Sequence, residues 1–259
     1  MTTTATPAPL SAIALDWPAS LGWQPTDQHC QQFQALYALI WQGNQQLNLT
    51  RIIEPPDFLE KHLWDSLTGL VPWLATDPQP DWVTQPSMRQ PIRNVLDIGS
   101  GAGLPGFPAA IVQPDWQVTL LDSTQKKVRF LASTAEALGL NNVRAIADRA
   151  EYFGHQLSHR EQYDLALLRA VGAPSTCAEY ALPLVRKGGI AVLYRGQWSE
   201  ADSATLAPKI KPLGGEIVAV QPWQTPLTGG IRHCVYLQKV RRTPDDFPRA
   251  VGLPAKQPL

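Results

Sequence analysis

The run Val95-Leu96-Asp97-Ile98-Gly99-Ser100-Gly101-Ala102-Gly103-Leu104-Pro105-Gly106 constrains this chain more than any other segment. An apolar stretch ends in an acid and then breaks into alternating glycines, the pattern of a buried strand feeding a tight turn and a helix. Glycine permits positive φ and lets backbone N–H groups come close to a ligand, and Pro105 suits the first turn of the helix that follows. The spacing also satisfies a dinucleotide-binding pattern, with Asp122 standing about twenty residues on, where a ribose-binding acid belongs. Asp97 weighs against a diphosphate, because like charges at about 4 Å repel by up to about 4 kcal/mol at an effective dielectric near 20. A ligand whose charges are a sulfonium and an ammonium is favoured by the same carboxylate. The loop therefore reads as a site for S-adenosyl-L-methionine, with Asp97, Gly99, Gly101 and Gly103 at the donor and Asp122 on its ribose hydroxyls.

The pattern around this loop predicts an α/β fold. Strands are expected near 94–98, 117–121, 142–147, 163–168 and 187–194, with helices near 106–112, 124–138 and 174–182 between them. Such alternation predicts a parallel, doubly wound, Rossmann-like sheet that binds ligands at the carboxyl ends of its strands. Glu216 to Val220 and His233 to Gln238 add a terminal hairpin, which suits a methyltransferase better than a dehydrogenase. Ahead of this domain, residues 1–25 read as irregular, with the Thr, Ala and Pro of residues 1–9 disordered. Residues 26–71 form a helical extension: one helix capped by Thr26-Asp27, with Phe33, Leu36, Tyr37 and Ile40 at helical spacing and an end near Gly43, and a second from about Asp57 to Leu70. A proline-rich linker covers 72–93, the methyltransferase domain 94–240 and a basic tail 241–259.

At 259 residues and 44% hydrophobic, the chain buries one sizeable core. No apolar run reaches the roughly twenty residues that span a bilayer, and Met1 to Pro9 lacks the basic start and apolar centre of a secretory signal, so a cytoplasmic protein without membrane partners is expected. Cys30, Cys177 and Cys234 make no paired framework, and the His29-Cys30 and His233-Cys234 pairs match no zinc spacing, so no metal is expected. Charge is uneven: residues 1–185 hold 11 basic and 17 acidic side chains, a net of −6, and residues 186–259 hold 11 and 5, a net of +6. The basic third is where a phosphate-bearing partner would touch.

The fourth strand delivers Arg169 to the ligand edge. A guanidinium is always charged, so it serves as no base; it binds the donor's methionine carboxylate or holds a base or phosphate of the acceptor. Amino-group methylation of adenine or cytosine is disfavoured, since the tandem prolines Pro55-Pro56 lack the aromatic and precede the donor loop. Pyrimidine C5 methylation is disfavoured because Cys177 has no neighbouring base. Guanine N7 has an exposed lone pair, so catalysis there consists largely of holding it about 3 to 3.5 Å from the methyl, in line with the sulfur. A small-molecule or protein acceptor on the same fold, or a dinucleotide-binding regulator, stays open on the residues alone.

Several further motifs narrow the choice: Asn48-Leu49-Thr50, His62-Leu63-Trp64-Asp65-Ser66, the Gly-Leu-Pro-Gly ending of the loop, Leu121-Asp122-Ser123 followed by Lys126-Lys127-Val128-Arg129, Arg149-Ala150-Glu151, Arg169-Ala170-Val171, Arg232-His233, and Phe247-Pro248-Arg249 with Gly252-Leu253-Pro254. Together they resemble the RsmG family, also called glucose-inhibited division protein B, over about residue 30 to 259. The resemblance implies a class I S-adenosylmethionine-dependent methyltransferase acting on guanine N7 in a hairpin loop of 16S ribosomal RNA and releasing S-adenosyl-L-homocysteine; a monomer is expected. It further implies donor contacts at Gly99, Leu104, Ala150, Glu151 and Arg169, with His62 and Asp65 joining Arg169 in the catalytic group beside the pocket, and RNA contacts from Arg195, Arg232 and Arg249 in the basic tail. Arg195 stands where that family has lysine, which keeps a phosphate contact.

Overall fold

The computed structural model describes residues 8–74 and 91–259. Its helices are α1 (Trp17–Leu21), α2 (Asp27–Leu47), α3 (Pro55–Phe58), α4 (Asp65–Thr68), α5 (Gly106–Val112), α6 (Gln125–Ala137), α7 (Ala150–Phe153), α8 (Pro174–Ala181), α9 (Glu200–Ile210) and α10 (Leu253–Lys256). Its strands are β1 (Asn94–Ile98), β2 (Gln117–Asp122), β3 (Val143–Ala147), β4 (Tyr163–Arg169), β5 (Val185–Arg195), β6 (Gly215–Gln224) and β7 (Ile231–Lys239). They form one sheet in the order β3-β2-β1-β4-β5-β7-β6. The first five strands are parallel, and β7 runs antiparallel to both β5 and β6. The doubly wound sheet and its terminal hairpin are thus as expected. The hairpin is longer than its apolar centre, pairing from Gly215 with Lys239 out to Gln224 with Ile231, because its outer ends alternate half-buried and exposed residues.

Side chains alternate across a strand, and here the alternation sorts the core into two layers. Val95, Leu165, Leu167, Ile190, Val192 and Tyr194 face one layer. Leu96, Ile98, Ala166, Leu168, Ala191 and Leu193 face the other, under α8 and α9. The first layer is closed by the amino-terminal helices, through Leu36, Tyr37, Ile40, Leu63, Trp64 and Leu67. The extension is therefore one face of the same core. Parity then decides the chemistry: Asp97 follows Val95, and Arg169 follows Leu167, on the side that the extension covers.

Four expectations are corrected. First, α2 runs four residues past Gly43 and ends at Asn48 in the left-handed conformation (φ 47°). Glycine costs a helix about 1 kcal/mol, but here the missing side chain admits α6, since a Cβ on Gly43 would lie 2.4 Å from the Phe130 ring. Second, the single regular helix expected over 57–70 is α3 and α4 joined by a π-helical stretch, Leu59–Trp64. Third, residues 10–12 form a 3₁₀ turn and α1 follows, with Leu10, Trp17, Leu21 and Trp23 buried, so most of 1–25 is built into the fold; residues 1–7 lie outside the described residues. Fourth, Val71–Trp73 is a 3₁₀ turn rather than linker, while residues 75–90 of that linker lie outside the described residues. α7, α9 and α10 went unpredicted: two have four residues, and α9 carries Pro208.

Candidate active site

The sheet reverses its winding between β1 and β4, which opens a crevice at their carboxyl ends. The loops leaving these strands abut there: a Cβ on Gly99 would lie 2.9 Å from Val171. The other glycines of the turn divide the work. At Gly103 a Cβ would strike Phe107 at 2.1 Å, so this residue serves the packing of α5. At Gly101 (φ 58°) it would meet nothing nearer than the Gly99 carbonyl at 3.8 Å, which leaves open ground over the turn. The Leu104 side chain is buried in the core. Of the turn residues assigned to the donor, the flank of Gly103 and the side chain of Leu104 thus belong to packing, because the helix after the turn must close on β2.

Asp97 is wholly buried under this turn. Its Oδ2 accepts from Gly106 N–H at 3.0 Å, and its Oδ1 has no partner among the described residues. Burial pushes its carboxyl up to about 7, against that hydrogen bond. An orphaned buried carboxylate oxygen costs free energy until a donor or cation reaches it. Next to it lies a cavity of about 280 Å³ lined by Gly99, Asp122, Ala150, Glu151, Tyr180 and Ala255, among others. Asp122 faces it with a carboxylate already oriented, Oδ2 accepting from Gly101 N–H at 3.0 Å and Oδ1 from Thr124 N–H at 2.8 Å. At the far side, burial pushes the Glu151 carboxyl up, but Arg149 (2.8 Å) and Gly252 N–H (2.9 Å) outweigh it and hold it below the usual carboxylate range. An acid under a turn, an acid at the end of β2 and a walled pocket fit the ammonium, ribose and base of S-adenosyl-L-methionine.

On the extension side, Arg169 reaches the π-helical stretch, the kind of irregularity that often marks functional sites. Its Nη1 donates to the Lys61 carbonyl at 2.8 Å and to Asp65 Oδ2 at 3.2 Å, and its Nη2 stands 3.2 Å from His62 Nδ1. His62 Nε2 lies 2.8 Å from Thr50 Oγ1. Burial, and then the Arg169 cation, push the His62 imidazole down to about 3, so the ring is neutral. Nδ1 also lies 3.2 Å from the Lys61 carbonyl, so both ring nitrogens are engaged in either tautomer. Asp65 Oδ1 lies 3.9 Å from Arg232 Nε. The predicted trio of Arg169, His62 and Asp65 is therefore assembled from two distant segments, and Arg232 joins it. Two N–H groups of Arg169, on Nε and Nη2, have no partner among the described residues.

Arg195 and Arg232 end on neighbouring strands, since Arg195 pairs in register with His233. Arg195 is anchored by one bond, from Nη1 to the Gly172 carbonyl at 2.8 Å. Arg249 is a correction. Its side chain does not face outward but grips the fully buried Glu179, with Nε at 2.9 Å and Nη2 at 2.7 Å, because the tail folds back over α8. Thr50 and Arg149 lie inside motifs singled out above, yet their bonds to His62 and Glu151 need the folded chain; Tyr180 and Ala255 carry no sequence signal at all. Among the described residues, no group of three or more His, Cys, Asp or Glu side chains is placed to hold a metal, and no helix is long and apolar enough to cross a membrane.

A family model described as rRNA small subunit methyltransferase G matches residues 29–227. Curated relatives bear the name ribosomal RNA small subunit methyltransferase G. One from Trichormus variabilis is 50% identical over 250 residues, covering 96% of this chain and 98% of its own length. One from Nostoc punctiforme is 49% identical with the same coverage, and one from Synechococcus elongatus is 50% identical over 252 residues, covering 96% of this chain and 99% of its own. With its doubly wound sheet, its acid-bearing glycine turn and a family match spanning most of its length, this chain belongs to the rRNA small subunit methyltransferase G family.

Proposed function

We propose that this chain transfers a methyl group from S-adenosyl-L-methionine to N7 of a guanosine in the 16S RNA of the small ribosomal subunit, by in-line displacement. The donor supplies an electrophilic methyl on a positively charged sulfur. Asp97 holds the donor's ammonium, which gives its buried Oδ1 the partner it lacks. Asp122 accepts the ribose hydroxyls, and Ala150 and Glu151 border the base. Arg169 keeps two N–H groups for the donor carboxylate or the acceptor, and His62 and Asp65 act as positioning residues that fix its fork.

The observation that carries the N7 reading is the state of His62. It is the histidine next to Arg169, it is neutral, and both its ring nitrogens are engaged by Arg169 and Thr50. A ring pushed down to about 3 is a weak base for drawing a proton from an acceptor, and guanine N7 has none to lose. Arg195 and Arg232, on adjoining strands beside this cluster, supply cations for RNA phosphates. The test is to incubate the purified protein with methyl-labelled S-adenosyl-L-methionine and small subunits from cells lacking it, then digest the RNA and identify the labelled nucleoside. Labelled 7-methylguanosine at one site is expected. Label in another nucleoside or in a protein, or no transfer, overturns the assignment.

A further inference from the structure

We propose that the carboxyl-terminal segment is a wall of the donor cavity and that Arg249 is the positioning residue that seats it. The proposal rests on the cavity between Asp122 and Glu151 being the donor site. Ala255, in α10, lines that cavity. A helix of four residues does not hold itself in place, so its position is set by what fastens the segment around it. Thr176 Oγ1 donates to the Pro254 carbonyl at 2.8 Å, and Gly252 N–H donates to Glu151 Oε1 at 2.9 Å, so the tail also helps to fix a carboxylate in the cavity lining.

The strongest fastening is Arg249 on Glu179. Glu179 is fully buried, and Arg249 gives it the backbone N–H at 2.8 Å, Nε at 2.9 Å and Nη2 at 2.7 Å, while the same Nη2 lies 2.9 Å from the Gln257 carbonyl. One guanidinium thus ties α8 to both ends of the turn that carries α10. Upstream, Arg160 donates to the carbonyls of Thr243, Pro244 and Phe247, and His155 Nε2 lies 2.7 Å from the Pro248 carbonyl, so the segment enters this turn already fixed. A buried carboxylate stripped of its cation is costly, and departure of the tail relieves that cost by admitting water to Glu179. The cavity then loses Ala255, and Glu151 loses the Gly252 N–H.

The experiment is calorimetric titration of the full chain with S-adenosyl-L-homocysteine in the absence of RNA, comparing wild type with Arg249→Ala, Arg249→Lys and Ala255→Trp. Arg249→Ala and Ala255→Trp should each weaken binding about tenfold, with Arg249→Lys recovering part of the loss. With RNA present, KM for the donor should rise while kcat stays within about twofold. The salt dependence of RNA binding should not change in Arg249→Ala, whereas loss of a phosphate contact would lower its slope by about 0.7 to 0.9. Two variants that bind like wild type overturn the proposal, as does a lowered salt slope with unchanged donor affinity. Should Arg249→Ala fail to fold, Ala255→Trp decides, because Ala255 is exposed at the cavity rim. A wild-type chain that does not bind S-adenosyl-L-homocysteine overturns the donor-site reading, and this proposal with it.

Discussion

Two buried groups on either side of Arg169, Asp97 and His62, respond to pH in opposite senses. Burial raises Asp97 from 3.8 to about 7, so the folded chain binds the extra proton between those values and loses stability as pH rises through that window. His62 is lowered from 6.5 to about 3 by burial and Arg169, so the unfolded chain binds the extra proton and stability is lost as pH falls below 6.5. Replacing His62 with Gln should therefore reduce the stability lost between pH 7 and pH 5 by about 2 kcal/mol, read from urea unfolding at the two pH values. On the proposed function, Asp97 acts on the donor as well. A bound ammonium favours the ionised carboxylate, so donor affinity should be flat above pH 7 and fall by up to about tenfold per pH unit below it. Asp97→Asn should bind weakly and without that slope; a variant with the wild-type pH profile would remove Asp97 from the donor site.

At the scale of elements, the glycine turn and the broken helix each join two jobs. Gly106 opens α5, where alanine would be worth about 1 kcal/mol more as a helix former. A Cβ there would lie 2.2 Å from Leu120 and 2.7 Å from Asp97 Oδ2, and both neighbours are fully buried. Gly106→Ala should thus lower stability by about 1–3 kcal/mol and weaken donor binding too, measured by thermal unfolding and titration on the same sample. The π-helical stretch is held from outside by Glu60, which is buried and accepts from the N–H groups of Leu227 and Thr228 and from Thr228 Oγ1, tying the β6–β7 turn to the segment that presents His62 and Asp65. Strands and glycine spacing were legible in sequence because they depend on local pattern. The π turn was not, since it is imposed by partners at Arg169 and in the β6–β7 turn, more than a hundred residues away.

Across the whole molecule, the basic last third divides into cations that hold the fold and cations that face outward. Arg249 is paired with Glu179, and Lys239 is buried against Glu161 and the carbonyls of Leu182 and Val185. Arg195 and Arg232 stay at the crevice, and Arg232→Ala should reduce the slope of log affinity for 16S RNA against log salt by about 0.7 to 0.9; an unchanged slope would take Arg232 out of the RNA contact. The one-dimensional chain determined the alternation of strands and helices, the acid and glycines of the donor turn and the acid at the end of β2, because each is a matter of period or short spacing. It also named Arg169 from the end of the fourth strand, and His62 and Asp65 through a family resemblance. Only the tertiary structure decided that these three meet, since strand parity turns Arg169 toward the helical extension. It alone decided that the Leu104 side chain and the flank of Gly103 pack in the core, and that Arg249 holds the tail. Those outcomes turn on which partner each side chain reaches once the core has closed, and no local pattern encodes a contact between segments 70 or 104 residues apart.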